Sequence, residues 1–425
     1  MNRQQRLFSQ IISSLLTILL PLVLRLLGVE WIGAIAIGLI VGLAGLILTS
    51  SLSRRVQNFS TWIAYLLIAI ATLLLILLGI PQIRENFQAP SLVYGYVGGE
   101  RYELLVRNSK VKQLLVNANL QLTEGSVTKK GSISQLQLFQ SDLNNTQPLD
   151  FLWTGDAPIA EGGKQLIEAM GKKVLENEAT LSDPLILVVN QADAATLATN
   201  QFFASNNSTQ SFDQDNFTYT VDTVKLVDFL LGDWTWRDIG LTQYASAPGV
   251  IMSDGRKSNG GVMAETLIGT ICYNMSLSGL TNQAKLHTSA EIPQFQPLPN
   301  ITPPEIARKM EQLRLRSGFA ESTSSKIKVQ LEEGGSPWAL TYYSVGKQIV
   351  KNNPNYTLVA LSHTIINSNQ FLSFSENGTQ LLKIIQSPEF QAIATEYGYD
   401  APKGNWIVLP DPSFEAVRSL SSLQL

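Results

Sequence analysis

An α/β domain in two sections, carried behind three membrane-spanning helices, is the fold class this sequence predicts, and three observations predict it. Three apolar runs crowd residues 1–87. From Ser91 onward, short apolar runs alternate with stretches of helical periodicity, the rhythm of βα units. That rhythm restarts after Asp183 and Pro184, which marks a second section.

The apolar runs are Leu7–Leu27, Trp31–Leu48 and Trp62–Ile80. Each is close to the ~20 residues an α-helix needs to cross a bilayer, which gives helices over about 7–27, 31–50 and 61–80. The first run has no small-residue cleavage site before the second and is too long for a signal peptide, so the helices are expected to stay. Arg3 and Arg6 precede the first run, and Arg54 and Arg55 separate the second from the third. The positive-inside rule puts both places in the cytoplasm and the following domain outside. A two-span alternative, with the first two runs as a hairpin, would leave that arginine pattern unmatched. No ionisable residue falls mid-membrane, so residues 1–87 are expected to tether rather than transport.

In the first α/β section, Ser91–Val97 reads as a strand, Glu103–Val116 as a helix and Asn119–Leu122 as a strand. Ser132–Phe139 follows as a helix, Leu149–Trp153 as a strand and Gly163–Leu175 as a helix. Asp183 and Pro184 are read as a break before Leu185–Val189, whose unbroken β-branched-rich composition suits a strand buried on both faces. Ser205–Asn216 reads as an exposed loop and Ile292–Pro304 as a proline-rich linker. Thr357–Leu361 is a late strand, two helical stretches run to about Tyr397, and Phe414–Leu423 adds a last helix.

Charge and rare residues exclude several functions. The net charge is -3, with six arginines against Glu30 and Glu85 in residues 1–87, so the remainder carries about -7. A mildly acidic domain has no means of neutralising phosphates, and nucleic acid is excluded as a partner. The single cysteine, Cys272, rules out an internal disulfide and reads as a core residue; no Cys/His cluster offers metal-ligand spacing. His287 and His363 lie far apart with no partner set for nucleophilic catalysis. Glu332 and Glu333 read as the edge of a turn, and Gly98–Glu100 lacks the context of a nucleotide loop.

Three loops fall where a strand hands over to a helix, where ligands collect in open α/β sheets. The first is Gly131 and Ser132, a glycine for close approach and a hydroxyl that either caps the helix or meets a ligand. The second, Trp153–Asp156, presents the Thr154 hydroxyl and the Gly155 amide. The third, Ser253–Gly261, combines Ser253, Ser258, Asn259, Gly260 and Gly261 at a helix start, with Arg256 and Lys257 between them. Small hydroxyls and paired glycines at such a start cradle an anion or a hydrogen-bonding solute.

The strings GGERYELLVRNSKVKQLL, KKGSISQL, LDFLWTGD, SDGRKSNGG and SPEFQAIATEYGYDAP follow one another in the order seen in extracellular solute-binding proteins of ABC importers. From about Leu92 to Pro402 the chain resembles their type II, periplasmic-binding-protein-like group with its phosphate-binding-like members. It is also similar to solute-binding domains of larger membrane-tethered proteins. The resemblance implies two lobes, 88–184 with 357–425 and 185–356, joined by crossover strands at Leu185–Val189 and Thr357–Leu361, with the C-terminal helices on the first lobe. It implies a cleft lined by Ser132, Thr154, Gly155 and the Ser258–Gly261 loop, with Tyr342 or Tyr343 closing it. Two departures stand out. Gly255 replaces a proline and Gly260 a serine in the SDP/KSNSG pattern. The usual GFRP ending reads Gly398, Tyr399, Asp400, Ala401 and Pro402, which exchanges a positive charge for an acidic one. Both make an inorganic anion a less secure ligand.

The expected protein is a receptor on the outer face of a bacterial plasma membrane that captures a small polar or anionic solute by lobe closure, without transforming it. The expectation includes no cofactor or metal. Its partners would be the lipid bilayer and either an ABC permease or a membrane signalling protein. The expected ligand residues are Gly131, Ser132, Thr154, Gly155, Asp156, Ser253, Arg256, Ser258, Asn259, Gly260, Gly261 and Tyr342. The competing expectation is a scaffold module that keeps the fold without a ligand.

Overall fold

The structure is a computed structural model that describes residues 90–135, 149–169, 171–205, 217–280, 285–317, 319–320, 327–332, 337–399 and 406–421. Ser91–Leu425 forms one compact unit. The three apolar runs expected to span a membrane lie outside the described residues. Among the described residues, no helix is long and apolar enough to cross one.

One nine-stranded sheet organises the unit. Its strands are β1 (Gly95–Val97), β2 (Val127–Lys129), β3 (Phe151–Trp153), β4 (Glu176–Asn190) and β5 (Phe203–Ser205). They continue with β6 (Tyr219–Val221), β7 (Trp338–Tyr342), β8 (Tyr356–Leu361) and β9 (Ile366–Ser373). The order is β2-β1-β3-β9-β4-β8-β6-β5, with β7 also on β4. β1, β2 and β3 are parallel, and β9 runs antiparallel to β3.

The long strand β4 serves both halves. Glu176 through Pro184 pairs with β9 in the first lobe, while Leu185 through Asn190 pairs with β7 and β8 in the second. Leu185, Ile186, Leu187, Val188 and Val189 are at most 1% exposed, because strands pair along the segment from both sides and its side chains pack into the second-lobe core. Asp183 and Pro184 are therefore not the expected break: the strand runs through them as it exchanges one set of neighbours for another. The chain returns at Ile366 and Asn367, which pair with Pro184 and Asp183, so the two crossings lie side by side. Thr364 clamps them by donating from Oγ1 to the Leu185 carbonyl at 2.8 Å.

Separate cores follow from this topology. Val93, Leu104, Leu115, Phe151, Trp153, Phe371 and Phe390 fill the first lobe. Phe202, Phe229, Trp236 and Trp338 cluster in the second, with the rings of Trp236 and Trp338 edge to face at 4.8 Å. A third cluster joins Ile133, Leu152, Ile159, Ile167 and Leu372 of the first lobe to Val262 and Val417. The alternation of side chains along a strand explains the split, since Phe151 and Trp153 face one core and Leu152 the other.

Several expected boundaries move, each for a local reason. The helix expected over Glu103–Val116 is interrupted, because Asn108 is extended and accepts hydrogen bonds from the Lys110 and Val111 amides, starting a new helix at Ser109–Asn117. The helix expected at Gly163–Leu175 runs over Ala157–Ala169, because the Asp156 carboxylate caps it through the Ile159 amide and Gly171, at φ +74, turns the chain after it. Thr357–Leu361 lies within β8 and packs in the second lobe; the return crossing comes a few residues later. The helices Glu376–Ile385 and Pro388–Tyr397 pack on the first lobe, but Phe414–Leu420 touches both Ala157–Ala169 and Asn259–Leu277. Glu332, expected at the edge of a turn, lies in the helix Ile327–Glu332, and Glu333 lies outside the described residues. The expected loop at 206–216 also lies outside them.

Candidate functional site

Val97, Lys129 and Trp153 are in register at the C-terminal ends of β1, β2 and β3, so the segments after them leave the sheet at one edge. Gly131 and Ser132 follow β2, and Thr154, Gly155 and Asp156 follow β3. From the second lobe comes the segment Ser253–Ser258 and the start of the helix Asn259–Leu277. These three segments meet. A Cβ on Gly131 would lie 2.2 Å from the Lys257 carbonyl oxygen, and one on Gly155 would lie 2.0 Å from Cγ of Asn259. Only glycine admits that approach.

Asn259 is the link between the lobes. Its Nδ2 donates to the Tyr342 hydroxyl at 2.8 Å and to Oδ1 of Asn367 at 3.3 Å. Tyr342 ends β7 and Asn367 lies at the start of the return crossing, so the junction sits beside the paired crossings. Asn367 was missed in the sequence, because the polar run Ile366–Gln370 does not read as a strand; its buried amides are instead held by hydrogen bonds, such as Asn369 to the Leu181 carbonyl.

The junction holds buried polar atoms without partners among the described residues. Thr154 Oγ1, Asp156 Oδ2 and Asn259 Oδ1 are all enclosed and unbonded, on residues 0%, 3% and 5% exposed. Gln135, in the described helical residues 132–135, adds an unbonded Oε1. Asp156 responds electrostatically: burial pushes its carboxyl up to about 7, the Ile159 amide opposes the rise and Asp411 adds to it. Ser132 and Ser258 are buried beside them, and Ser258 precedes the helix at Asn259 without a side-chain cap bond. Gly261 lets the loop cross itself, since a Cβ there would fall 2.3 Å from the Ser253 carbonyl oxygen. Gly260 lies beside it, half-buried.

Arg256 departs from its expected role. Its Nε and Nη2 donate to the two carboxylate oxygens of Asp254 at 2.9 and 3.0 Å, and its side chain is 56% exposed. It braces the loop from outside. Although burial of Asp254 works the other way, Arg256 holds that carboxyl below its usual range. Beneath the loop lies a stronger fastening. Arg314 donates to both oxygens of Glu265 at 2.9 and 2.7 Å and to the Leu420 carbonyl at 3.0 Å, and Ser421 donates to Glu265 Oε2 at 2.8 Å.

A second cation was overlooked because it follows the dismissed Gly98–Glu100 stretch. Arg101 is 5% exposed, and none of the described residues accepts a hydrogen bond from it. Its guanidinium carbon lies 5.9 Å from the centroid of the Trp153 ring.

The other residues weighed in the sequence stand apart from the junction. The His287 amide donates to Asp228, and its Nδ1 is 3.1 Å from Glu291 Oε2. His363 is 3.0 Å from the Ser362 hydroxyl and packs on Phe295, where burial lowers its pKa. Cys272 lies in the second core and borders a separate cavity of about 350 Å³ with Asp228, Met275 and Lys309. It is thirteen residues along the helix from Asn259, about 20 Å at 1.5 Å per residue.

No protein-family model and no curated protein matches the sequence. Among solved structures, the chain is similar to a periplasmic thiamin binding protein, at 13% identity and a TM-score of 0.47, over 78% of this chain and 94% of that one. It is similar to the periplasmic binding protein AfuA from Actinobacillus pleuropneumoniae, solved with fructose-6-phosphate bound, at 13% identity and a TM-score of 0.44 over 78% and 94%. The sulfate-binding protein SubI from Mycobacterium tuberculosis H37Rv is similar at 10% identity and a TM-score of 0.42 over 72% and 86%. The ligands in those names belong to those proteins.

Proposed function

We propose that the chain is a receptor that holds a small polar or anionic solute between its two lobes and does not transform it. The observation that carries this reading is the convergence of unbonded buried atoms, Thr154 Oγ1, Asp156 Oδ2 and Asn259 Oδ1, where the lobes meet beside both crossings. Buried polar atoms normally have partners, and a cluster without them is the signature of a surface that bonds to something else. Gly131, Ser132, Ser253, Ser258, Gly260, Gly261 and Tyr342 complete the lining. Entry requires the lobes to part about the paired segments near Pro184 and Ile366, a hinge motion biased by contacts from both sides.

The three apolar runs in residues 1–87 and their flanking arginines support a multi-pass anchor in the plasma membrane, with the receptor domain on the periplasmic or extracellular side. An anchor raises the receptor's effective concentration beside an ABC permease or a membrane signalling partner.

A screen of the full chain in detergent by thermal shift, against sugars, amino acids and anions, tests the receptor reading. At least one compound class is expected to raise Tm, and the shift should disappear in Asn259→Ala. The scaffold reading draws on one observation, the direct approach of Gly155 to Asn259, which a permanently joined pair of lobes would also use. No shift with any class, together with no solute released on denaturation, would favour it. A reporter fused after Leu425 tests the anchor: an outside location is expected, and a cytoplasmic one refutes the three-span reading.

A further inference from the structure

We propose that Arg101 is the residue that recognises charge in this site, and that the ligand carries an oxyanion, either a carboxylate or a phosphate group. The inference rests on the junction being a ligand site.

Its position comes first. Gly98 follows Val97, which is in register with Lys129 and Trp153, so Gly98 leaves the sheet at the same edge as Gly131 and Thr154. The Arg101 side chain folds back onto it: a Cβ on Gly98 would stand 2.3 Å from Nη2. The guanidinium thus lies at the level of the strand ends, from which the first-lobe loops reach the second lobe.

Its surroundings come second. Arg101 is 5% exposed, and its Nε is enclosed with no partner among the described residues. A buried guanidinium is costly unless a carboxylate or other acceptor answers it. The other first-lobe cations with assigned contacts have carboxylates, Arg107 with Glu103 and Glu124, Lys110 with Glu396 and Lys129 with Glu103. Glu103, two residues from Arg101, is therefore already engaged. The Trp153 ring offers a cation–π contact, but its face accepts none of the five N–H donors in the way an oxygen does. The missing acceptor matches the planar fork of a guanidinium, which carboxylates and phosphates meet with two parallel hydrogen bonds.

The role divides the site into two chemistries. Arg101 takes the charged end of the ligand, and the hydroxyl and amide groups of Thr154, Asn259 and Ser258 take the uncharged remainder. A neutral sugar would leave the guanidinium unanswered and is excluded as the best ligand.

The test is thermal unfolding of the purified full chain with inorganic phosphate, glucose 6-phosphate or L-glutamate, against sodium chloride at matched ionic strength, and with glucose as the neutral control. At least one oxyanion probe should raise Tm by about 5 °C at a hundredfold excess over its Kd. Arg101→Gln should abolish that shift, and Arg101→Lys should keep part of it. Phosphate probes acting alone identify a phosphate ligand, and glutamate acting alone a carboxylate. A shift of equal size in wild type and Arg101→Gln overturns the role of Arg101 while leaving the receptor intact, as does a shift with glucose alone. No shift with any probe overturns the oxyanion. Without ligand, Arg101→Gln should unfold at the wild-type temperature or above it, because an unanswered buried charge is removed; a large drop would show a purely structural arginine and overturn the proposal.

Discussion

Arg314 and Arg101 are both buried arginines, 9% and 5% exposed, and they differ in almost everything around them. Arg314 meets both oxygens of Glu265 and the Leu420 carbonyl, and Ser421 completes the network. Burial works against its charge, yet Glu265 raises its pKa above the ordinary value. Arg101 has an aromatic face, and its enclosed Nε has no acceptor among the described residues. The difference separates structure from function in this fold: a buried charge answered from within holds elements together, and one left unanswered points outward to a ligand. The Arg314 network ties the C-terminal helix to the floor of the Ser253–Gly261 loop, since Gly255 lies directly over Glu265, and so keeps one wall of the junction rigid.

The largest expected effect breaks this comparison from the structural side. Arg314→Leu leaves Glu265 buried and uncompensated and should cost about 3–5 kcal/mol in urea unfolding. Glu265→Leu with Arg314→Leu should recover most of that loss. Arg101→Leu should cost far less than Arg314→Leu, and equal costs would erase the distinction.

Next is the pH dependence of Asp156. Its folded value of about 7 lies above the ordinary 3.8, so between those values the folded chain keeps a proton that the unfolded chain has lost. Stability from this group is therefore complete below about pH 4 and drains away as pH rises to 7, by up to about 4 kcal/mol. Asp156→Asn should flatten that part of the urea-stability profile. An unchanged slope would show that Asp156 is not buried as described.

Gly155→Val sharpens the junction itself. Its side chain would collide with Asn259 and keep the lobes apart, costing about 1–3 kcal/mol and lowering ligand affinity at least tenfold by calorimetry. The smallest effect is the control. Lys110→Ala removes an exposed ion pair with Glu396 and should not change Tm measurably.

How much of this could be read in the sequence depended on the kind of signal. Glycines beside small polar residues at strand ends located Gly131, Thr154–Asp156 and Ser258–Gly261, because a close backbone approach leaves a mark in residue type. The β-branched run at Leu185–Val189 announced a strand buried on both faces. Pro184 misled, because the strand runs through it, paired with Ile366, at the point where it exchanges one set of neighbours for another. The return crossing at Ile366–Ser373 was hidden by Asn367, Asn369 and Gln370, whose burial depends on hydrogen bonds that no periodicity reports. Arg256 looked like a ligand cation until its geometry showed Asp254 across from it. Arg101 carried no signal of its own in the sequence, since only tertiary structure reveals that a charge has been buried.

Closure of the two lobes on a solute is tested most directly by a distance between them. Val116, 55% exposed on the first lobe, and Leu315, 80% exposed on the second, can each be replaced by cysteine and spin-labelled, while the native Cys272 is buried. Pulsed electron–electron resonance should show two separations, with the shorter one growing when a stabilising solute is added. A single separation that no solute changes would contradict closure and leave the scaffold reading in its place.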